Sequence, residues 1–335
     1  MMRSLALFSL CVAFSPAHLV AQGTPPSPPV PYSVGAPVGT SPTARASGNV
    51  KVFGAIHNAE SCSYDAERGV IVLLNRGVSQ RVLANDAFVS FINHDGSVHT
   101  SRWIGVQPAA ERASLTPALT LNDPFGSDIV NGVLYVSDSD GNTSASDPRV
   151  AVIRKFDMRT GMPLGQLRVE RSPWLNDLAV APNGTIYATQ TGGLALDSDP
   201  LAWQVLKITP DGAVSLFAQG LPLRVPNGIA LDPHGNVVVV NSGDSAVLTF
   251  SPEGQLLRTE HAAQSGSDGL VIMPDGTKYI SSVFKGGVSR LRPGGAAEQI
   301  ASSIPTAASM CYDAAARQLV IPLNEQNGLA FLKLP

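Results

Sequence analysis

Four oxygen-bearing side chains, Glu60, Asn176, Asn227 and Asp268, each stand at the head of a similar stretch of chain. Two carboxylates and two amide carbonyls form an oxygen-only donor set, which suits a hard cation, calcium above all. The carboxylates would balance a divalent charge, and waters or a substrate would complete about six to eight ligands. Without a cation, two carboxylates held close together repel, and one tends to keep a proton. Asn-Gly and Asp-Gly are also ordinary turn formers, which is a rival reading of Asn227-Gly228 and Asp268-Gly269. That rival does not extend to Asn176, which precedes Asp177, or to Glu60, which precedes Ser61.

What must position these residues is a repeat. The clearest copies run over 176–192, 227–243 and 268–284, and weaker ones over 60–75, 125–139 and 308–324. In the clear copies an apolar run, a Pro-X-Gly turn and a second β-rich run follow one another. The copies begin at Glu60, Phe125, Asn176, Asn227, Asp268 and Ala308, at spacings of 65, 51, 51, 41 and 40 residues. Such spacings are those of four-stranded propeller blades. Later in the units, hairpin signals recur at 93–96, 158–161, 209–212, 251–254 and 292–295. The sixth copy ends one strand short, and Val50–Gly54 is the strand expected to close it. The fold expected is all-β: a six-bladed β-propeller of four antiparallel strands per blade, its last blade closed by an N-terminal strand. In a propeller the innermost strands line a central channel. The six opening residues should therefore face one another at one mouth.

These residues also carry a family likeness. The order Glu60, Asn176, Asn227, Asp268, with VPNGIALDPHG (225–235) and SDGLVIMPDG (267–276), resembles the senescence-marker-protein/gluconolactonase family. Diisopropylfluorophosphatase and paraoxonase belong to the wider group. The likeness spans about 49–335 and implies a calcium-dependent hydrolase of lactones, esters or organophosphates. It implies Glu60, Asn227 and Asp268 as metal ligands, and Asn176 as a ligand or a contact to substrate and water. It also implies Asp268 as general base or nucleophile. The chain departs from the sugar lactonases in two places. Glu60-Ser61-Cys62 stands where they tend to have Glu-Gly-Pro, and Trp174 where they tend to have an arginine. An aromatic side chain at 174 points to a substrate bound by stacking or through an apolar acyl group. Rival functions on the same frame are a non-catalytic NHL-like propeller binding a protein or glycan, and a strictosidine-synthase-like enzyme.

Other features complete the reading. Val106–Thr120 is an extra loop that could form a lid, as are Ser137–Pro148 and Gly192–Trp203. The SDSDGN run at 137–142 lacks the closing Glu of a helix-loop-helix calcium site and reads as a solvated loop. His57, three residues before Glu60, and Lys285 read as structural or solvated ahead of catalytic. Cys62 and Cys311 fall in copies that become neighbours on closure, yet they lie one residue out of register. They are expected to point to opposite faces and to remain reduced.

The N-terminus has the pattern of an export signal over residues 1–23, with cleavage after Ala21 or Gly23. A Pro/Ser/Gly-rich disordered linker follows over 24–48, and the propeller domain occupies 49–335. The protein is thus expected to be secreted or periplasmic. With 23 basic and 26 acidic side chains, the chain gives no electrostatic reason to expect a nucleic-acid partner. No segment is long and apolar enough to span a membrane. With 31 Gly and 26 Pro it is too turn-rich for a long-helix protein. A small-molecule ester or lactone substrate and a monomeric state complete the expectation.

Overall fold

The computed structural model describes residues 55–77, 82–144, 146–192 and 199–335. Six antiparallel sheets follow one another along the chain as the blades of a propeller. They cover residues 59–104, 127–169, 178–219, 226–261, 267–301 and 311–333. The first five have four strands, and the sixth has three among the described residues. The expected closing strand at Val50–Gly54 lies outside them, as do the signal and linker segments. Among the described residues no helix is long and apolar enough to cross a membrane.

Burial along each blade follows from its place in the ring. Although Val133–Asp140 is half-buried at its ends, most second strands, such as Val70–Asn75 and Val237–Asn241, are buried at every position because neighbouring blades cover both faces. They therefore read as continuous apolar runs without alternation. The outermost strands have one wet face, and Pro163–Val169 accordingly alternates between half-buried and exposed residues. The core is a set of apolar clusters, most of them spanning adjacent blades: Val72, Leu74 and Val89 pack with Leu134 and Phe156, for example. Full burial of a Val or Leu contributes roughly 1.5–3 kcal/mol relative to exposure.

The turns fall where the punctuation predicts. Gly184, Gly235 and Gly276 close the Pro-X-Gly turns with φ of +86°, +80° and +81°. That left-handed conformation is open to glycine at little cost.

Two expectations need correction. Cys62 and Cys311 form a disulfide, with Cα atoms 5.4 Å apart. The first and sixth blades meet through a parallel bridge between Ser61 and Ser309, so Cys311 is indeed one residue beyond the partner of Cys62. Opposite faces of equivalent strands in adjacent blades are, however, the two faces that meet at the seam. Both cysteines lie in the apolar cluster filling it, with Ala59, Ile71, Leu73 and Val320. The second correction concerns SDSDGN: its first four residues end the strand Val133–Asp140. There Asp138 is buried, ion-pairs with Arg154 and accepts the backbone N–H groups of Asn122 and Asp123.

The 106–120 insertion is fastened down. It carries a short helix, Ala109–Ser114, whose buried Arg112 donates to the backbone carbonyl oxygens of Leu119 and Asn85. Leu119 enters the core between the first two blades. The insertion is therefore a fixed wall of the molecule. Residues 193–198 of the third candidate loop lie outside the described residues.

Candidate functional site

A one-residue irregularity sits at the head of the innermost strand in five blades. Ala59 faces Asn75 and Ser61 faces Leu74, so Glu60 is the extra residue. Pro226 faces Asn241 but Ile229 faces Val239, and Ser267 faces Ser282 but Leu270 faces Ile280. Asn227-Gly228 and Asp268-Gly269 thus each occupy the space of one residue. In the second and third blades, Ser137 and Thr189 each bond two consecutive residues, Phe125-Gly126 and Asn176-Asp177. A bulge re-aims a side chain out of the alternation of its strand.

The glycines after the ring residues are packing glycines. A Cβ on Gly126 would meet the Asp177 carboxylate at 2.2 Å, one on Gly228 the Asp268 carbonyl oxygen at 2.1 Å, and one on Gly269 the Met310 nitrogen at 2.5 Å. None of the three has positive φ, so the turn-former reading of Asn227-Gly228 and Asp268-Gly269 does not hold. Each glycine lets one blade press against the next at ring level.

Hydroxyl groups then lock the ring. Ser137, Thr189 and Ser281 on second strands donate to the backbone carbonyls of Asn176, Asn227 and Ala308 in the following blades, at 2.8, 2.6 and 2.8 Å. A second set orients the amides. Asn176 Nδ2 donates to Thr191 Oγ1 at 3.2 Å, and Thr191 donates onward to the Pro226 carbonyl at 2.8 Å. Asn227 Nδ2 donates to Ser242 Oγ at 3.1 Å, and Ser242 donates to the Ser267 carbonyl at 2.6 Å. With their hydroxyl hydrogens committed to backbone oxygens, Thr191 and Ser242 accept from the amides, which fixes which end of each amide is the carbonyl.

Asn227 and Asp268 lie together, Asn227 Nδ2 being 3.4 Å from Asp268 Oδ2. Asn227 Oδ1 and Asp268 Oδ1 are both buried without a hydrogen-bond partner. Burial pushes Asp268 well above the usual carboxylate range, and the charges of Glu60 and Asp177 push it the same way. Glu60 is also raised, chiefly by burial, although Arg76 opposes the shift. Glu60 Oε2 accepts a hydrogen bond from Asn324 of the sixth blade and lies 3.7 Å from Arg76 Nη1. Two orphaned oxygens beside two carboxylates that burial penalises when charged are what a hard cation would relieve. The donor set present therefore fits calcium. Among the described residues no three His, Cys, Asp or Glu side chains converge, so the amide carbonyls would have to contribute.

Phe125 breaks the oxygen ring, and around it stands a wall that the repeat gave no means to foresee. Arg76 and Arg149 share the fully buried Asp123, at 2.8 and 2.7 Å. Arg76 lies 4.1 Å from the Phe125 centroid. Trp174 is half-buried at 5.1 Å from Phe125, ring to ring. Arg76, Asp123 and Arg149 leave no signal in the repeat because they sit beyond strand ends and outside the copies, whereas Asn324 closes the sixth copy and meets Glu60 only through ring closure. The one available signal is the Asn-Asp-Pro turn at 122–124, just before Phe125. His57 is half-buried, with Asp86 and Arg102 among the charges acting on it, and burial lowers its pKa. Lys285 is exposed after the second strand of the fifth blade. A cavity of about 550 Å³ occupies the other half of the channel, lined by Ser63, Ser127, Asp128, Asp177 and Met310 among others. Glu60, Asn227 and Asp268 do not line it.

Comparison with known proteins agrees with this architecture. The family model described as the SMP-30/Gluconolactonase/LRE-like region matches residues 108–322. That span includes Asn176, Asn227 and Asp268 and leaves out Glu60. A gluconolactonase from Xanthomonas campestris is similar in structure, with a TM-score of 0.55 and 19% identity over 84% of this chain and 88% of that one. Streptogramin B lyase is also similar, with a TM-score of 0.50 and 12% identity over 84% of each chain. At these identities the likeness concerns the fold. No curated protein matches the chain.

Proposed function

Because the chain belongs to the SMP-30/gluconolactonase/LRE-like family, we propose that it is an exported, calcium-dependent hydrolase of lactones or related esters. One observation carries the reading: Asn227 and Asp268 meet through Nδ2 and Oδ2 at 3.4 Å while the Oδ1 of each is buried without a partner, and the charge of a second buried carboxylate, Glu60, acts on Asp268. Glu60, Asn227 and Asp268 would hold the cation, with Asn176 as a fourth ligand or a contact to substrate. A bound calcium supplies Lewis-acid polarisation of a carbonyl oxygen.

The protein's own groups supply the rest. Asp268, once ionised, either takes a proton from the water that attacks the carbonyl carbon, or itself attacks that carbon and expels the alkoxide of the lactone or ester. The second route leaves an acyl anhydride that water opens to the free acid and the restored carboxylate. Thr191 and Ser242 keep the amide carbonyls of Asn176 and Asn227 from flipping. Phe125 and Trp174 offer an apolar wall for the acyl portion, and the fastened 106–120 insertion leaves the mouth without a swinging cover on that side. The Cys62–Cys311 disulfide supports export, since such bonds persist in oxidising compartments.

A calcium titration with and without chelator, followed by a panel of lactones and aryl esters, tests the proposal. Expected are calcium binding and calcium-dependent cleavage that Asp268→Asn abolishes. Calcium binding without any cleavage would leave the non-catalytic propeller as the better reading. Single turnover in ¹⁸O-water separates the two roles of Asp268: label enters its carboxylate only if it attacks.

A further inference from the structure

The wall beside Glu60 holds two guanidinium groups on one buried carboxylate. Asp123 gives Oδ1 to Arg76 Nε at 2.8 Å and Oδ2 to Arg149 Nη2 at 2.7 Å. Arg76 is buried, and its second anionic neighbour is Glu60. Arg149 is different. Its side chain keeps 22% of its surface exposed, and its Nε is held by Ser139 Oγ at 3.0 Å. Among the described residues its Nη1 makes no hydrogen bond. The guanidinium lies 5.4 Å from the Phe125 centroid and 5.9 Å from that of Trp174.

A cation fixed at two of its nitrogens, resting against two aromatic rings and open along one edge, is already organised to accept an anion. Little side-chain freedom remains to be lost when it does so. The nearby carboxylates are committed: Asp138 pairs with Arg154, and Asp123 is shared. Arg76, Arg149 and Arg154 face Asp123, Glu60, Asp138 and Asp140, so what sets Arg149 apart is its exposed, unpaired Nη1 edge.

We infer that Arg149 is a substrate-binding residue that selects lactones or esters bearing an anionic oxygen group, carboxylate or phosphoryl, with Phe125 and Trp174 as the apolar platform beneath the ring. This rests on the hydrolase reading for its substrate type, but the anion preference can be measured without turnover. Desolvation and the charge of Arg76 both press on the charged form of Arg149, and an incoming anion relieves both. An apolar acyl group alone, the expectation drawn from Trp174, would leave Arg149 Nη1 without a hydrogen-bond acceptor.

The test uses a non-hydrolysable lactam. Calorimetry on the calcium-supplemented full chain compares 5-oxopyrrolidine-2-carboxylate with its carboxamide and with its phosphonate counterpart. At least one anion is expected to bind ten times or more tighter than the amide, and which anion does so assigns the source. Arg149→Gln should bring the ratio close to one, while Arg149→Lys keeps part of it. In turnover, Arg149→Gln should raise KM for acidic lactones ten times or more beyond any change it makes for neutral ones. Arg76 still answers Asp123 in these variants, so melting temperatures should stay within a few degrees of the parent. Equal affinities in the parent, no binding of either anion, or a ratio that survives in Arg149→Gln overturns the inference. If the ratio behaves as expected but no lactone or ester is cleaved, Arg149 stands and the hydrolase reading falls.

Discussion

Arg76 holds its guanidinium 3.7 Å from Glu60 Oε2, with both side chains buried. The arginine is thus the cation that the first ring carboxylate sees, and it also anchors Asp123. Breaking a buried pair by removing one partner typically costs about 3–5 kcal/mol, because the other charge stays behind. Arg149 remains on Asp123, so Arg76→Met should fall near the lower end, at about 3 kcal/mol. Denaturant unfolding of the metal-free protein measures it. A loss of less than about 1 kcal/mol would mean that Arg76 is not holding these carboxylates.

Asp268→Asn separates catalysis from stability. Loss of a general base typically lowers the rate by about 10²–10⁴. The same change removes a buried carboxylate whose ionised form is unfavourable, so the metal-free protein at pH 8 should be no less stable than the parent. The paired readouts are kcat and the melting temperature in chelator. A variant that is both inactive and unfolded would point to a structural role instead.

The pH dependence has a definite sign. Burial raises Asp268 and Glu60 above the ordinary carboxylate range, and Asp177 is pushed up to about 7. A carboxylate raised in the folded state binds its proton more tightly there than in the unfolded chain. Its contribution to stability is present below the unfolded pKa and is lost as pH rises through the folded one. The metal-free protein should therefore melt at a higher temperature at pH 5 than at pH 8, with the decline running through pH 7 where Asp177 titrates. Calcium, by favouring ionised carboxylates, should release protons on binding and flatten the profile. Calorimetry in buffers of different ionisation enthalpy reads the released protons directly.

The seam disulfide closes the ring between residues 249 apart. Removing it should cost about 3 kcal/mol, or roughly 6–12 °C in melting temperature. Cys62→Ser with Cys311→Ser, and the parent under reductant, should behave alike. If neither melts earlier, the apolar seam of Ala59, Ile71 and Val320 is sufficient by itself to hold the first and sixth blades together.

What was legible in the sequence is what repeats. Spacings of 40 to 65 residues located six blades, and the Pro-X-Gly turns fell where glycine conformations require them. Glu60, Asn227 and Asp268 could be singled out because they share a register, and that register is also where the strands bulge. Residues that act across blades left no such trace. Arg149 reaches Phe125 and Trp174 from the start of another strand, and Asn324 reaches Glu60 from the opposite end of the chain. The disulfide was misjudged for a related reason: pleat alternation within one strand was applied to two strands whose blades face each other.

Gly228 offers a test of whether the ring depends on close blade contact. A Cβ there would lie 2.1 Å from the Asp268 carbonyl oxygen and 3.1 Å from Val240 Cγ2, and the first of these is backbone that cannot rotate away. The φ of Gly228 is not positive, so Gly228→Ala carries no conformational penalty of its own and acts only by wedging the fourth blade from the fifth. Overpacking of this kind costs about 1–3 kcal/mol. Because Asn227 and Asp268 lie on either side of that seam, the wedge should also separate their 3.4 Å contact and weaken calcium binding tenfold or more. Gly235→Ala is the control. It has nothing within 4 Å but a φ of +80°, so it should lose about 1 kcal/mol through backbone strain while calcium affinity stays at the parent value. If the two variants lose stability alike and neither changes calcium affinity, the cation does not sit between Asn227 and Asp268.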